Sequence, residues 1–363
     1  MMRFHPRVHT ARRPSAVLLG FGASLAAVAV SLSSAAPVVA LPVEVVTTLS
    51  TYGSIAREIG GNRVEVQSIS RSDEDAHFVK PKPSYALMLK RADLFVTTGL
   101  DLELWAPVLL DKAGNRKIRS GEPGYVSASE GIALEDVPAS ADRSAGDVHV
   151  YGNPHVITSP INVKIVARNI AAGLSRVDPE GAETYRANLA AFERRIDEAL
   201  YGRELVELLG AEVLDPLAEQ GKLIEFLEQR QYQGAPLIGR LGGWLARLHR
   251  FDRPKIIAYH NNWVYLTELF GLDVIGFVEA KPGIPPSARH VKELIDRVED
   301  EGVGVLLAAS YYSSTQVDTI AERTGCRAVR VSMGPSAEGS ETYVDWMGSL
   351  IDRLAEALAA SAS

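Results

Sequence analysis

Apolar runs five or six residues long alternate with longer amphipathic stretches over most of this chain. Val43 to Thr48 is β-branched and reads as a strand. Ser50 to Ile59 reads as a helix, stopped by Gly60-Gly61. Arg63 to Ile69 alternates as a second strand, Lys82 to Lys90 is helical, and Ala92 to Thr98 is an apolar strand ending at Gly99. Strand–helix alternation of this kind predicts a doubly wound α/β lobe. The pattern then breaks. Residues 112–150 are rich in Gly, Ser, Asp and Glu, and read as a long surface loop with one short strand near Tyr125-Val126.

Helical periodicity takes over next. Ser159-Pro160 starts a helix through Leu174: serine caps exposed N–H groups, and proline in the first turn loses nothing. Asp178-Pro179-Glu180 repeats that start signal. Tyr185, Leu189, Phe192, Ile196 and Leu200 recur at spacings of four and three, and Leu205 and Leu208 extend the stripe past Gly202. The stripe predicts one helix over 178–209, about 30 residues and roughly 45 Å long. That is too long for an α/β crossover and suits a stiff spine in a two-lobed molecule. Residues 210–250 look mostly helical, with breaks at Gly234, Pro236 and Gly242-Gly243.

Alternation resumes beyond that point. Strands are expected at Lys255–Tyr259, Asp273–Phe277, Val303–Ala308 and Arg327–Val331. Helices are expected at Asn261–Phe270, Ser287–Glu299, Ser313–Arg323 and Glu341–Ala359. The expected organisation is thus two doubly wound α/β lobes, 41–177 and 210–363, joined by a long rigid linking helix at 178–209. Residues 206–250 form a helical insertion.

The first 40 residues stand apart. Arg3, Arg7, Arg12 and Arg13 precede an apolar stretch from Ala16 to Val30, and Val38-Val39-Ala40 resembles a small-residue cleavage site. This is the pattern of an export signal. No cysteine ends it, so a soluble periplasmic protein is expected rather than a lipid-anchored one. Removing it takes four arginines and no acids, so the formal charge falls from −7 to −11. Such a balance argues against nucleic acid or anionic membrane surfaces as partners. Cys326 is the sole cysteine. It excludes disulfides and multi-thiolate zinc sites, and reads as a buried, inert thiol.

Six of the eight histidines follow the export segment. His77 follows a strand and precedes a helix, and His260 ends a strand. His155 lies in the rigid Gly152-Asn153-Pro154-His155 turn. Ligands in open α/β sheets bind beyond the carboxyl ends of strands. Taken singly, a solvated loop residue, a turn cap and a buried hydrogen-bonded ring would account for His77, His155 and His260. Taken together, they suggest a three-imidazole metal site, which suits tetrahedral zinc with one position left. His149, His249 and His290 read as surface residues, with His149 close enough to His155 to act as an occasional extra ligand. Glu279 reads as a loop carboxylate, with a base or a ligand as alternatives. The chain has no H-E-x-x-H, G-x-S-x-G, Walker loop or G-x-G-x-x-G after the export segment, and no catalytic residue is assigned.

Four segments, in order, resemble the metal-binding substrate-binding proteins of ABC importers, the zinc/manganese class with a rigid linking helix. Asp75-Ala76-His77-Phe78-Val79-Lys80-Pro81-Lys82-Pro83 is similar to the D-x-H-x-x-x-P-x-P segment of that family. Asn153-Pro154-His155 and the following residues through Pro160 resemble D-P-H-x-W-x-x-P. His260 to Tyr265 resembles H-x-x-x-x-Y, and Pro286-Ser287-Ala288 resembles the P-S-A of a C-lobe helix. The resemblance implies a metal held in the interlobe cleft by His77 and His155 from one lobe and His260 from the other. It implies capture in the periplasm and delivery to an inner-membrane ABC permease, with the protein acting as a monomer. A histidine at the third position implies zinc rather than manganese. The family's fourth ligand, an aspartate after the last strand, is missing from Val331-Ser332-Met333-Gly334-Pro335. Glu279, His149 or water are the candidates to replace it. A three-histidine zinc hydrolase using bound water and a carrier of manganese, iron or a metal chelate are the competing expectations.

Overall fold

The computed structural model describes residues 41–138, 149–279, 283–337 and 339–361. The expected export segment lies outside them. The chain opens with β1 (Val43–Thr47), α1 (Ser50–Gly60), β2 (Val64–Ser68), α2 (Pro83–Arg91), β3 (Leu94–Thr97), α3 (Ala106–Ala113) and β4 (Tyr125–Ser127). These four strands form a parallel sheet in the order β2-β1-β3-β4. All of β3 and four of the five residues of β1 are buried, as parallel strands covered on both faces require. Helix α3, which hydrophobic periodicity did not reveal, packs Ala106, Leu109 and Ala113 into the core. The stretch after it is not wholly a surface loop: Ile118, Val126, Ala128 and Ile132 are buried.

Helix α4 (Pro160–Val177) starts where expected, with the Ser159 hydroxyl accepting the Asn162 N–H. The linking helix, α5 (Ala182–Tyr201), buries Tyr185, Phe192, Ile196 and Leu200 along one stripe. It is 20 residues long, shorter than expected. Gly202, at φ 85°, turns the chain out of the helical region, so Leu205 belongs to a separate helix. That helix is α6 (Arg203–Leu209). It is followed by α7 (Ala211–Glu219), α8 (Leu223–Gln229), the two-residue pair β5 (Gln231–Tyr232) and β6 (Ala235–Pro236), and α9 (Gly243–His249).

The second half contains β7 (Lys255–Ala258), α10 (Val264–Phe270), β8 (Asp273–Phe277), α11 (Ala288–Glu301), β9 (Val305–Ala309), α12 (Ser314–Thr324), β10 (Arg327–Val331) and α13 (Tyr343–Ser361). Its parallel sheet runs β8-β7-β9-β10. Each sheet therefore places its first strand between the second and third, and its fourth at the far edge. In both, the strand order reverses direction between the first and third strands, which opens a crevice at their carboxyl ends. Cys326 is buried, and its thiol lies 3.2 Å from the Val303 carbonyl, as an inert core residue should.

The lobes meet along those strand ends. The Met333 N–H donates to the Ser72 carbonyl at 2.9 Å. The Tyr265 hydroxyl donates to the Asn153 carbonyl at 2.6 Å, and the Asn153 amide donates to the Asn261 carbonyl at 2.7 Å.

Candidate metal centre

His77, His155 and His260 converge. One ring nitrogen from each lies within 4.8 Å of the other two. Some point is then within about 2.8 Å of all three, close to the 2.0–2.1 Å of a zinc–imidazole bond. Sidechain rotations of about an ångström would close the difference.

Each ring is held from outside the cluster. Asp75 caps a short 3-10 turn, its Oδ1 accepting the His77 backbone N–H at 3.0 Å and lying 2.6 Å from Nδ1. The Trp105 indole donates to the Ala76 carbonyl at 2.7 Å and pins the same turn. His155 is fixed by its preceding turn: Asn153 Oδ1 accepts the His155 N–H at 3.0 Å. The Asn153 amide also reaches the opposite lobe, which the aspartate of the family motif could not do as a donor. His260 leaves the end of β7, its Nδ1 2.8 Å from Glu279 Oε2. Glu279 is thus an orienting partner, and neither a free loop carboxylate nor an inward-facing ligand. Carboxylate–imidazole pairs of this kind fix the tautomer and leave Nε2 to face inward.

Burial sets the electrostatics. His155 is held well below the usual imidazole range by burial, reinforced by the neighbouring His77, His260 and His149. It is therefore neutral and offers a lone pair. Its Nε2 is buried without a hydrogen-bond partner. Burial acts to raise the Asp75 carboxyl, but hydrogen bonds from His77 outweigh it and hold the group below its ordinary value. A cavity of about 30 Å³ opens beside His77 and His155, bordered by Asp75, Tyr311 and Met333.

His149 is a correction to the sequence reading. Its side chain is only 13% exposed, and its Nε2 lies 3.1 Å from His77 Nε2. Gly152, at φ 115°, bends the chain so that its N–H reaches the His149 carbonyl and the loop passes the cluster before His155 enters it. The spacing H-x-x-x-x-x-H around a glycine was the available signal. The Asp101 partner, 48 residues upstream, was not legible. His290, expected at the surface, is half-buried on α11 with its Nε2 2.8 Å from the Phe277 carbonyl. At the end of β10, where the family carries aspartate, the Met333 sulfur lies 3.8 Å from the Asn262 amide.

Residues 45–200 and 244–357 match the family described as zinc-uptake complex component A, periplasmic (ZnuA). The chain belongs to this family. The unmatched 201–243 overlaps the expected helical insertion at 206–250. Among similar proteins, the iron-binding protein YfeA of Yersinia pestis is 25% identical over 86% of this chain and 85% of its own. The manganese ABC transporter substrate-binding lipoprotein PsaA of Streptococcus pneumoniae is 21% identical over 87% and 88%. The zinc-bound structure of a ZnuA deletion mutant superposes with a TM-score of 0.64 at 21% identity, covering 87% of this chain and 98% of that one. As a ZnuA-family member, the chain is the metal-binding component of an ABC importer and not an enzyme. That sets aside the hydrolase alternative.

Proposed function

We propose that this protein captures zinc in the periplasm at His77, His155 and His260 and passes it to an ABC permease in the inner membrane. The observation that carries the reading is the donor set: three imidazoles, two buried and one half-buried, with ring nitrogens within 4.8 Å of one another, and carboxylates turned to the Nδ1 atoms of His77 and His260. Nitrogen donors favour a borderline ion such as zinc over ions that prefer all-oxygen sets. Similar proteins named for iron and manganese support a second reading, a carrier of one of those ions. Calorimetry on dialysed protein with zinc, manganese and iron separates the readings. Zinc binding that is tightest of the three, and lost in His260→Ala, is expected; failure to bind zinc overturns the proposal.

A further inference from the structure

We infer that His149 is the fourth ligand, so that the captured ion is held by four imidazoles with no carboxylate or water among them. The inference rests on the zinc reading above and deepens it.

The first argument is placement. His77 Nδ1 lies 2.6 Å from Asp75 Oδ1, and His149 Nδ1 lies 2.9 Å from Asp101 Oδ1. With Nδ1 of each ring engaged by a carboxylate, the two Nε2 atoms face each other across 3.1 Å. Tetrahedral zinc with bonds of 2.0–2.1 Å separates its ligand atoms by about 3.3 Å, close to the spacing found.

The second argument is that the position is built. Asp101 Oδ2 accepts the Val150 N–H at 3.0 Å while Oδ1 engages the ring, so one carboxylate fixes both the backbone and the imidazole. The side chains are 13% and 15% exposed. This is the third carboxylate–imidazole pair around the cluster, after Asp75–His77 and Glu279–His260. Orienting partners of this kind accompany histidines that bind metal.

The third observation points to a ligand independently. His155, 6% exposed, keeps its Nε2 buried and unpartnered beside these rings. Its ring centroid is 5.2 Å from that of His77 and 6.0 Å from that of His149. Meanwhile the end of β10 supplies Met333 in place of a carboxylate. An all-nitrogen set selects for zinc and its borderline neighbours, and against manganese, more strongly than a set containing a carboxylate would.

X-ray absorption at the zinc edge on the loaded full-length protein counts the imidazoles directly and needs no variant. Four imidazoles and no oxygen in the first shell are expected. In His149→Ala the count should fall to three, with an oxygen added. Zinc affinity, read by competition with a chromophoric chelator, should drop on the order of a hundredfold, and Asp101→Asn should lose about tenfold or more. Manganese affinity should change far less in both variants. Three imidazoles plus oxygen in the unmodified protein, with His149→Ala within twofold in zinc affinity, overturns this inference and leaves the zinc reading standing. Unmodified protein that takes up no zinc overturns both.

Discussion

The Lys164 cluster and the histidine cluster, both buried and polar, are finished differently. In the first, Lys164 of α4 is 1% exposed, and its Nζ lies 2.5 Å from both Asp197 of α5 and Asp215 of α7. The Tyr201 hydroxyl donates to the other Asp215 oxygen at 2.8 Å. None of these side chains is left with a buried unpartnered atom. In the second, the histidine cluster, the Nε2 of His155 is buried without a partner. Buried polar groups are ordinarily satisfied within the protein. The first cluster is complete and joins the linking helix to the insertion. The second leaves a buried imidazole nitrogen open, as the proposed metal site requires.

Opposite responses to substitution would sharpen that contrast. The largest effect is expected at Lys164. Lys164→Met leaves two carboxylates buried without their cation and should destabilise the apo protein by about 3–5 kcal/mol in urea unfolding. The zinc affinity of the molecules that remain folded should be unchanged. His155→Ala should do the reverse. It removes a quarter of a zinc-binding energy of about 10–16 kcal/mol, on the order of a hundredfold in affinity, with little loss of apo stability. If His155→Ala destabilises the apo protein as much as Lys164→Met does, the two clusters are of one kind and the contrast fails.

Glu279→Gln should keep the fold and cost about 10–100-fold in zinc affinity, measured by chelator competition, because His260 loses its orienting carboxylate. A smaller effect is expected outside both clusters. Arg63 donates Nε–H and an Nη–H to Asp178 at 2.8 Å each, and Tyr185 donates to the same carboxylate. The Arg63 hydrogen bonds hold the Asp178 carboxyl below its ordinary value. Its contribution is therefore present above the unfolded-state pKa of about 3.9 and lost as pH falls through the lower folded value. Arg63→Ala should lower stability slightly at pH 7, and less in acid, without altering metal binding, as urea unfolding at the two pH values would show. The smallest change is expected in shape. A continuous α5 resists bending because bending breaks backbone hydrogen bonds. Small-angle scattering should show little compaction on zinc addition, and a large one would argue for mobile lobes.

Much of this architecture could be read from local pattern. Strands such as Val305–Ala309, buried at every position, announce themselves as short apolar runs, and the Ser159-Pro160 start needs only capping chemistry. His77 and His260 were visible because strand carboxyl ends are where α/β sheets bind ligands. What escaped depends on contacts distant in sequence. His149 sits in a loop without periodicity, and its burial depends on Asp101, 48 residues away. Glu279 looked like a loop residue because its partner lies at the end of a neighbouring strand. The linking helix was read too long because its apolar stripe runs on past Gly202, whereas backbone conformation at that glycine ends it.

Anomalous scattering at the zinc edge from a crystal of the loaded protein tests the central claim most directly. One peak should lie about 2.1 Å from a ring nitrogen of each of His77, His155 and His260. A peak bound instead by carboxylates, or lying outside the cleft, would contradict the account.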